Sequence, residues 1–257
     1  MPRTLVWFSA CAPSAVAAKL VLGHRAPKWV TEDVVIAYTD PGSEHPDNLR
    51  FISDCERWFG QEVLMLRSDI YKDTWDVWNK TRFLVGPTGA RCTADLKRGV
   101  RFKFERPDDV QVFGFTIEEE HRAVRFREQN PGVDLRTPLI DAGLTKPECL
   151  AMVERAGLEL PAMYHLGFKY NNCIGCVKGG IGYWNHIRIH FPDTFDKMAL
   201  LEREIDHAIL SEEVTEGSRK KSPVWLDELD PTRGNHADEP DIECGILCAI
   251  AEEAILP

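Results

Sequence analysis

Thr4-Leu5-Val6-Trp7-Phe8-Ser9-Ala10-Cys11-Ala12-Pro13-Ser14 is the stretch from which the fold can be read. Its first five residues form an unbroken apolar run, the pattern of a strand buried on both faces. Six small residues follow. Ala15 to Leu22 is then rich in helix formers and closes at Gly23. A strand, a small-residue loop and a helix in that order make an anion cradle, because loop amides and a helix N-terminus both present N–H groups. The plainer reading of the same residues is an ordinary βα turn.

Further along, the alternation repeats. Asp33 to Tyr38 reads as a second buried strand, running into Thr39-Asp40-Pro41-Gly42-Ser43-Glu44-His45-Pro46. Pro46 suits the opening of a helix that reaches about Phe59. Glu62 to Arg67 reads as a third strand, 71–85 as a helix, and Gly86-Pro87-Thr88-Gly89 as a turn. Another helix starts at Arg91-Cys92-Thr93. Asp109 to Phe113 is a fourth strand, followed by Gly114 and an acidic–basic stretch from Glu118 to Arg127. Strands alternating with helices predict an α/β, Rossmann-like fold: a mostly parallel five-stranded sheet with helices on both faces. A helical C-terminal part follows. Ligands of such sheets sit at the carboxyl ends of the strands. Ser9 to Ser14, Thr39-Asp40 and Gly114 to Arg122 are therefore expected to line one crevice. Arg122 and Arg125 can hold phosphate or sulfate there, or pair with Glu118 and Glu119 on a solvated helix face.

The 257 residues fit one large domain, or one domain with an appendage. We expect a nucleotide-binding α/β domain over 1–140 and a helical part over 141–210. Tyr183 to Leu210 alternates apolar and charged residues at helical spacing, and the polar segment 211–223, with a surface loop at Gly217 to Lys221, reads as a tether. A mobile linker and tail over 211–257 carry Cys244 and Cys248. The net charge of −10 argues against a broad nucleic-acid surface. No apolar run approaches the ~20 residues that span a bilayer. The apolar stretch after Arg3 is broken by Ser9, Pro13, Ser14 and Lys19. A cytoplasmic protein is expected. Eight cysteines are too sparse for a disulfide scaffold and read as metal, redox or catalytic groups. Cys55 and Cys149 lie in helical periodicity and read as core, and Trp75 and Trp78 read as packing.

The second informative stretch is Asn171-Asn172-Cys173-Ile174-Gly175-Cys176-Val177-Lys178-Gly179-Gly180. A Cys-x-x-Cys turn aims two sulfurs at one point. That suits a metal, an iron–sulfur cluster or a redox disulfide. Two small buried hydrophobes are the alternative.

Taken together, these motifs resemble the phosphoadenosine phosphosulfate (PAPS) reductase family of the adenine-nucleotide alpha-hydrolase-like, or PP-loop, proteins. The resemblance covers roughly residues 4–190, with a further match in the tail. Ser9 to Ser14 stands where that family has Ser-Gly-Gly-x-Asp-Ser. Ser9 and Ser14 are kept, while Ala10, Cys11 and Pro13 depart from it. Thr39-Asp40-Pro41-Gly42 is similar to the family's Asp-Thr-Gly region. Arg91-Cys92 resembles an Arg-Cys-Cys segment whose second Cys is Thr93 here, and Cys173-Ile174-Gly175-Cys176 resembles the later Cys-x-x-Cys. Glu243-Cys244-Gly245-Ile246 resembles the reductases' Glu-Cys-Gly-Ile/Leu-His, with Leu247 in place of the His and Cys248 after it.

The resemblance implies an adenine nucleotide substrate held by Ser9, Ala10, Cys11, Ala12, Ser14, Thr39, Asp40, Gly114 and Arg122. It implies a [4Fe-4S] cluster, or in its place zinc, on Cys92, Cys173 and Cys176, with the fourth position open or filled by Cys248 or Cys244. Its leading implication is reductive cleavage of adenosine 5′-phosphosulfate or its 3′-phosphorylated form. Cys244 is then the nucleophile, and a thiol such as thioredoxin the reductant. An ATP-dependent, pyrophosphate-releasing sulfurtransferase is the alternative. A nucleotide- or cluster-binding module without turnover is the third reading.

Overall fold

The computed structural model describes residues 1–86, 89–214, 221–239 and 242. Strand β1 (Thr4–Phe8) leads into helix α1 (Ala12–Leu22), β2 (Val34–Thr39) into α2 (Asn48–Phe59), and β3 (Val63–Leu66) into α3 (Thr74–Thr81). A short hairpin, β4 (Val85–Gly86) and β5 (Gly89–Ala90), precedes a π-helix over Thr93–Arg98, which continues as α4 (Gly99–Phe104). Then come β6 (Val110–Phe113), α5 (Glu120–Gln129), β7 (Asp134–Arg136), α6 (Pro138–Asp141), α7 (Lys146–Arg155) and α8 (Ala162–His165). The chain continues through α9 (Ile181–His190), α10 (Pro192–Ile205) and a second hairpin, β8 (Leu210–Glu213) with β9 (Lys221–Val224).

The main sheet has the order β3-β2-β1-β6-β7, and every pairing in it is parallel. This is the Rossmann-like α/β architecture expected from the strand runs, followed by a mostly helical C-terminal part. The apolar run at the N-terminus sits in the middle of the sheet. Val6 and Phe8 face a core shared with α1 and α2, while Leu5 and Trp7 face Phe113, Phe115 and Phe126 on the other side. A strand with helices on both faces has no solvated side, which is why the run does not alternate. Helix α1 is almost wholly buried: its alanines let it lie close to β1, α2, α6 and α7. Cys55 and Cys149 are core residues, and Trp78 is buried edge-on to Trp75 at 5.0 Å.

Arg3 and Asp109 fasten the start of β1 to the loop that enters β6. Arg3 Nε donates to Asp109 Oδ1 at 2.8 Å and its terminal nitrogen donates to Oδ2 at 3.1 Å. Both side chains are buried.

Three expectations differ from the structure. The helix expected over 71–85 is confined to Thr74–Thr81, because Asp73 caps it by accepting from the Asp76 amide at 2.8 Å. The helical spacing from Tyr183 to Leu210 is two helices. Pro192 lacks the N–H that would continue α9, so the chain turns at Phe191 and restarts. The polar segment 211–223, expected to be a tether, contributes strand residues at both ends, with Leu210 opposite Val224 and Glu213 opposite Lys221. Residues 215–220, which include Gly217 and Ser218 of the expected surface loop, lie outside the described residues. No helix among the described residues is long and apolar enough to cross a membrane.

Glu202 of α10 holds the second hairpin in place. Its fully buried carboxylate accepts the amide of Ile209 at 2.6 Å and that of Leu226 at 2.9 Å. Burial pushes its pKa from 4.5 up to about 7, against the pull of those two N–H groups. An acid whose folded pKa lies above its unfolded value contributes fully below the unfolded value and loses that contribution as pH rises through the folded one. Stability is therefore expected to fall between about pH 4.5 and pH 7. Glu202→Gln should flatten that slope in thermal melts at stepped pH. An unchanged slope would assign it to other groups.

Candidate functional site

The carboxyl ends of β1, β2 and β6 open into one crevice, lined in part by Ser9, Cys11, Ser14, Thr39, Gly114 and Arg122. Residues from each of the three segments expected to share one crevice thus line it, Thr39 alone from the second. Ala10 is left-handed, with φ of 51°, and fully buried. This kink reverses the chain between β1 and α1. Cys11 is the extended N-cap residue of α1, and the first turn of α1 carries no acidic side chain. The positive end of the helix dipole therefore faces the crevice unopposed from its own first turn.

Ser14 ties the loop together. Its Oγ accepts from the Ser9 amide at 3.1 Å and donates to the Cys11 carbonyl at 3.0 Å. The Ser9 hydroxyl lies 3.2 Å from Ser14 Oγ, and the Cys11 thiol lies 3.1 Å from Ser9 Oγ and 3.3 Å from Ser14 Oγ. Three small polar groups thus converge at the helix start. Ala10 and Ala12 are buried beneath them and shape the loop through their backbone. Gly114 presses on the same turn: a Cβ there would lie 2.7 Å from Ser14 Cα and 2.9 Å from the Ser14 amide nitrogen.

Asp40 is placed differently from the expectation. Its carboxylate accepts from the Gly42 amide at 2.8 Å and from both Arg67 Nε and a terminal Arg67 nitrogen, at 2.9 and 2.6 Å. It closes the turn after β2 and is not among the residues lining the crevice. Arg122 does line the crevice. Its guanidinium pairs with Glu119 and lies 5.0 Å from the Phe115 ring centroid.

A buried polar network that no sequence pattern announced lies at the same place. Glu44 Oε2 accepts from the Tyr38 hydroxyl at 2.6 Å and from Asn48 Nδ2 at 2.8 Å, while Oε1 pairs with Lys97 Nζ at 3.0 Å. Burial first, and then the Glu44 carboxylate, push the Tyr38 phenol well above its ordinary pKa, so it stays a donor. Lys97 is carried on the π-helix, an irregularity that often marks functional positions. Lys97, Lys146 and Arg122 give the crevice three cationic side chains in a chain of net charge −10.

The Cys-x-x-Cys segment borders this network. The Ile174 amide donates to the Ser43 carbonyl at 2.9 Å, docking the turn on the loop after β2. The Tyr183 hydroxyl accepts from the Cys176 amide at 2.9 Å and donates to the Cys173 carbonyl at 3.2 Å. Gly175 has φ of 75°, and a Cβ there would strike Thr194 at 2.7 Å. The turn is thus built tightly, with both cysteines buried. Cys92 is the N-cap of the π-helix and packs against the apolar cluster that contains Cys176.

Among the described residues, no three His, Cys, Asp or Glu side chains form a group that could hold a metal ion. A [4Fe-4S] cluster on Cys92, Cys173 and Cys176 rests on the sequence resemblance. Cys244 and Cys248 lie outside the described residues. Glu239 caps α9 by accepting the Gly182 and Tyr183 amides at 2.5 and 3.0 Å, and Ile242 lines the crevice. Compared with protein-family models and with curated proteins, the chain matches none.

Proposed function

We propose that the protein binds an adenine nucleotide in this crevice and reductively cleaves an adenylyl sulfate to sulfite. One observation carries the reading. The Ser9–Ser14 loop, the N-terminus of α1 and the cations Lys97, Lys146 and Arg122 converge at the carboxyl edge of a parallel sheet. That is a site for an anion attached to a larger group. Apolar walls from Trp7, Phe113 and Phe115 suit a base or ribose beside it.

In the proposed reaction the Cys244 thiolate attacks the sulfur of the bound sulfonucleotide. An S–S bond forms, the S–O bond to the nucleotide breaks, and its electron pair leaves on the phosphate oxygen of the released nucleotide. A thiol reductant such as thioredoxin then attacks the cysteine sulfur. It forms a mixed disulfide and releases sulfite, and a second thiol of the reductant restores Cys244. Loop donors and cations stabilise the leaving nucleotide's charge.

The test is an anaerobic preparation assayed in parallel with adenosine 5′-phosphosulfate, its 3′-phosphorylated form and ATP. Sulfite release that Cys244→Ser abolishes, with nucleotide binding retained, supports the proposal. Pyrophosphate release from ATP without sulfite would point to the sulfurtransferase, and binding without turnover to a binding module. The absence of adenine-nucleotide binding at millimolar concentration would overturn the nucleotide reading. Iron per chain in the same preparation, with and without Cys173→Ser, checks the cluster.

A further inference from the structure

Asn171 is 4% exposed, and among the described residues its buried Oδ1 has no hydrogen-bond partner. Its orientation is fixed by a chain of bonds with one consistent direction. Glu44 is a carboxylate and only accepts, so the Asn48 amide nitrogen faces it, at 2.8 Å. Asn48 Oδ1 therefore faces Asn171 and accepts from its Nδ2 at 2.8 Å. The Ala10 carbonyl, also an acceptor only, takes the other hydrogen of Nδ2 at 2.6 Å. Turning the Asn171 amide over would set two oxygens against its Oδ1. Both hydrogens are thus used inside the protein, and the acceptor is left over in a residue that lines the crevice.

A buried acceptor without a donor is destabilising, and a native structure keeps one where something else supplies the donor. Sulfate and phosphate oxygens are acceptors and cannot supply it. A nucleotide offers donors in its ribose hydroxyls and, on adenine, an exocyclic amine. Asn171 is bonded to Ala10, within the loop that would receive the anion. The ribose is the part of a 5′-nucleotide joined directly to that anion, whereas the amine lies at the far end of the base.

Resting on the nucleotide reading above, we infer that Asn171 is a specificity-determining residue, whose Oδ1 accepts a hydrogen bond from a ribose hydroxyl of the bound nucleotide. The 3′-hydroxyl is the consequential one, since a 3′-phosphate removes that donor. Recognition there would select the sulfonucleotide that lacks the 3′-phosphate.

The experiment is calorimetric titration of the full chain with AMP, 2′-deoxy-AMP, 3′-deoxy-AMP, inosine monophosphate and inorganic phosphate, repeated on Asn171→Ala and Asn171→Ser. The wild type should lose roughly 5–10-fold in affinity for one of the two deoxy analogues, the order of one hydrogen bond. It should bind inosine monophosphate like AMP. The variants should bind AMP as weakly as the wild type binds that analogue and no longer distinguish the two, with inorganic phosphate unaffected. The inference is overturned if neither deoxy analogue binds more weakly, or if the loss appears with inosine monophosphate instead. A deoxy penalty that persists in full in whichever variant folds also overturns it. If AMP binds no better than inorganic phosphate, the nucleotide reading itself fails, and that result is distinct from the others.

Discussion

Asp109→Ala is expected to lower stability by about 3–5 kcal/mol, the cost of leaving a buried charge without its partner. Asp109 accepts two bonds from Arg3 and one from the Arg106 amide at 2.8 Å. Arg3 also donates to the Phe104 carbonyl at 2.9 Å and lies 4.4 Å from the Phe104 ring centroid, so it has no open path to water. For a chain of this length the fall in Tm should be roughly 6–20 °C. Urea unfolding followed by circular dichroism measures it. The double change Arg3→Met with Asp109→Leu should recover much of the loss, because an apolar pair leaves no charge behind. A cost below about 1 kcal/mol for Asp109→Ala, the range of exposed pairs, would mean that solvent reaches the pair.

Gly114→Ala is the second large effect, and it acts on binding as well as stability. The added methyl would meet Ser14 Cα at 2.7 Å, the Ser14 amide nitrogen at 2.9 Å and the Pro13 carbonyl carbon at 3.1 Å. All three are backbone atoms, so no side chain can swing away. Either β6 or the first turn of α1 has to move. Overpacking of this kind costs about 1–3 kcal/mol. Because the same turn carries Cys11, Pro13 and Ser14 of the crevice wall, adenine-nucleotide affinity should fall by more than about tenfold, equivalent to a lost charge-assisted hydrogen bond. Gly132→Ala is the control, since a Cβ there meets nothing within 4 Å. Equal effects of the two changes in calorimetry would remove Gly114 from the account of the crevice.

The central strands were legible because burial on both faces leaves a continuous apolar run, as in Leu5–Phe8 and Val34–Tyr38. The edge strand Asp134-Leu135-Arg136 has only one apolar residue, and its pairing with β6 comes from the sheet already formed beside it. The flanks of segment 211–223 are polar for a similar reason. A hairpin anchored by its backbone to Glu202 needs little apolar surface of its own. At the site, the loop and Gly114 could be placed from their position after strands. Asp40 could not, because its partner Arg67 lies 27 residues away and reaches it only through the pairing of β2 with β3. Lys97 and Asn171 were missed for the same reason. Each is defined by a partner brought close by the fold, Glu44 for one and Ala10 for the other.

The left-handed Ala10 has a consequence for how relatives of this chain can be found. Phosphate-gripping loops are usually sought as strings of glycine, because glycine takes positive φ without penalty. Here a methyl-bearing residue holds φ of 51°, and the strain of about 1–3 kcal/mol is carried by a turn whose neighbours are packed on every side. A search written in letters passes over such a loop. A search written in dihedral angles would stop at it: one positive φ, two residues past a buried parallel strand, followed at once by a helix.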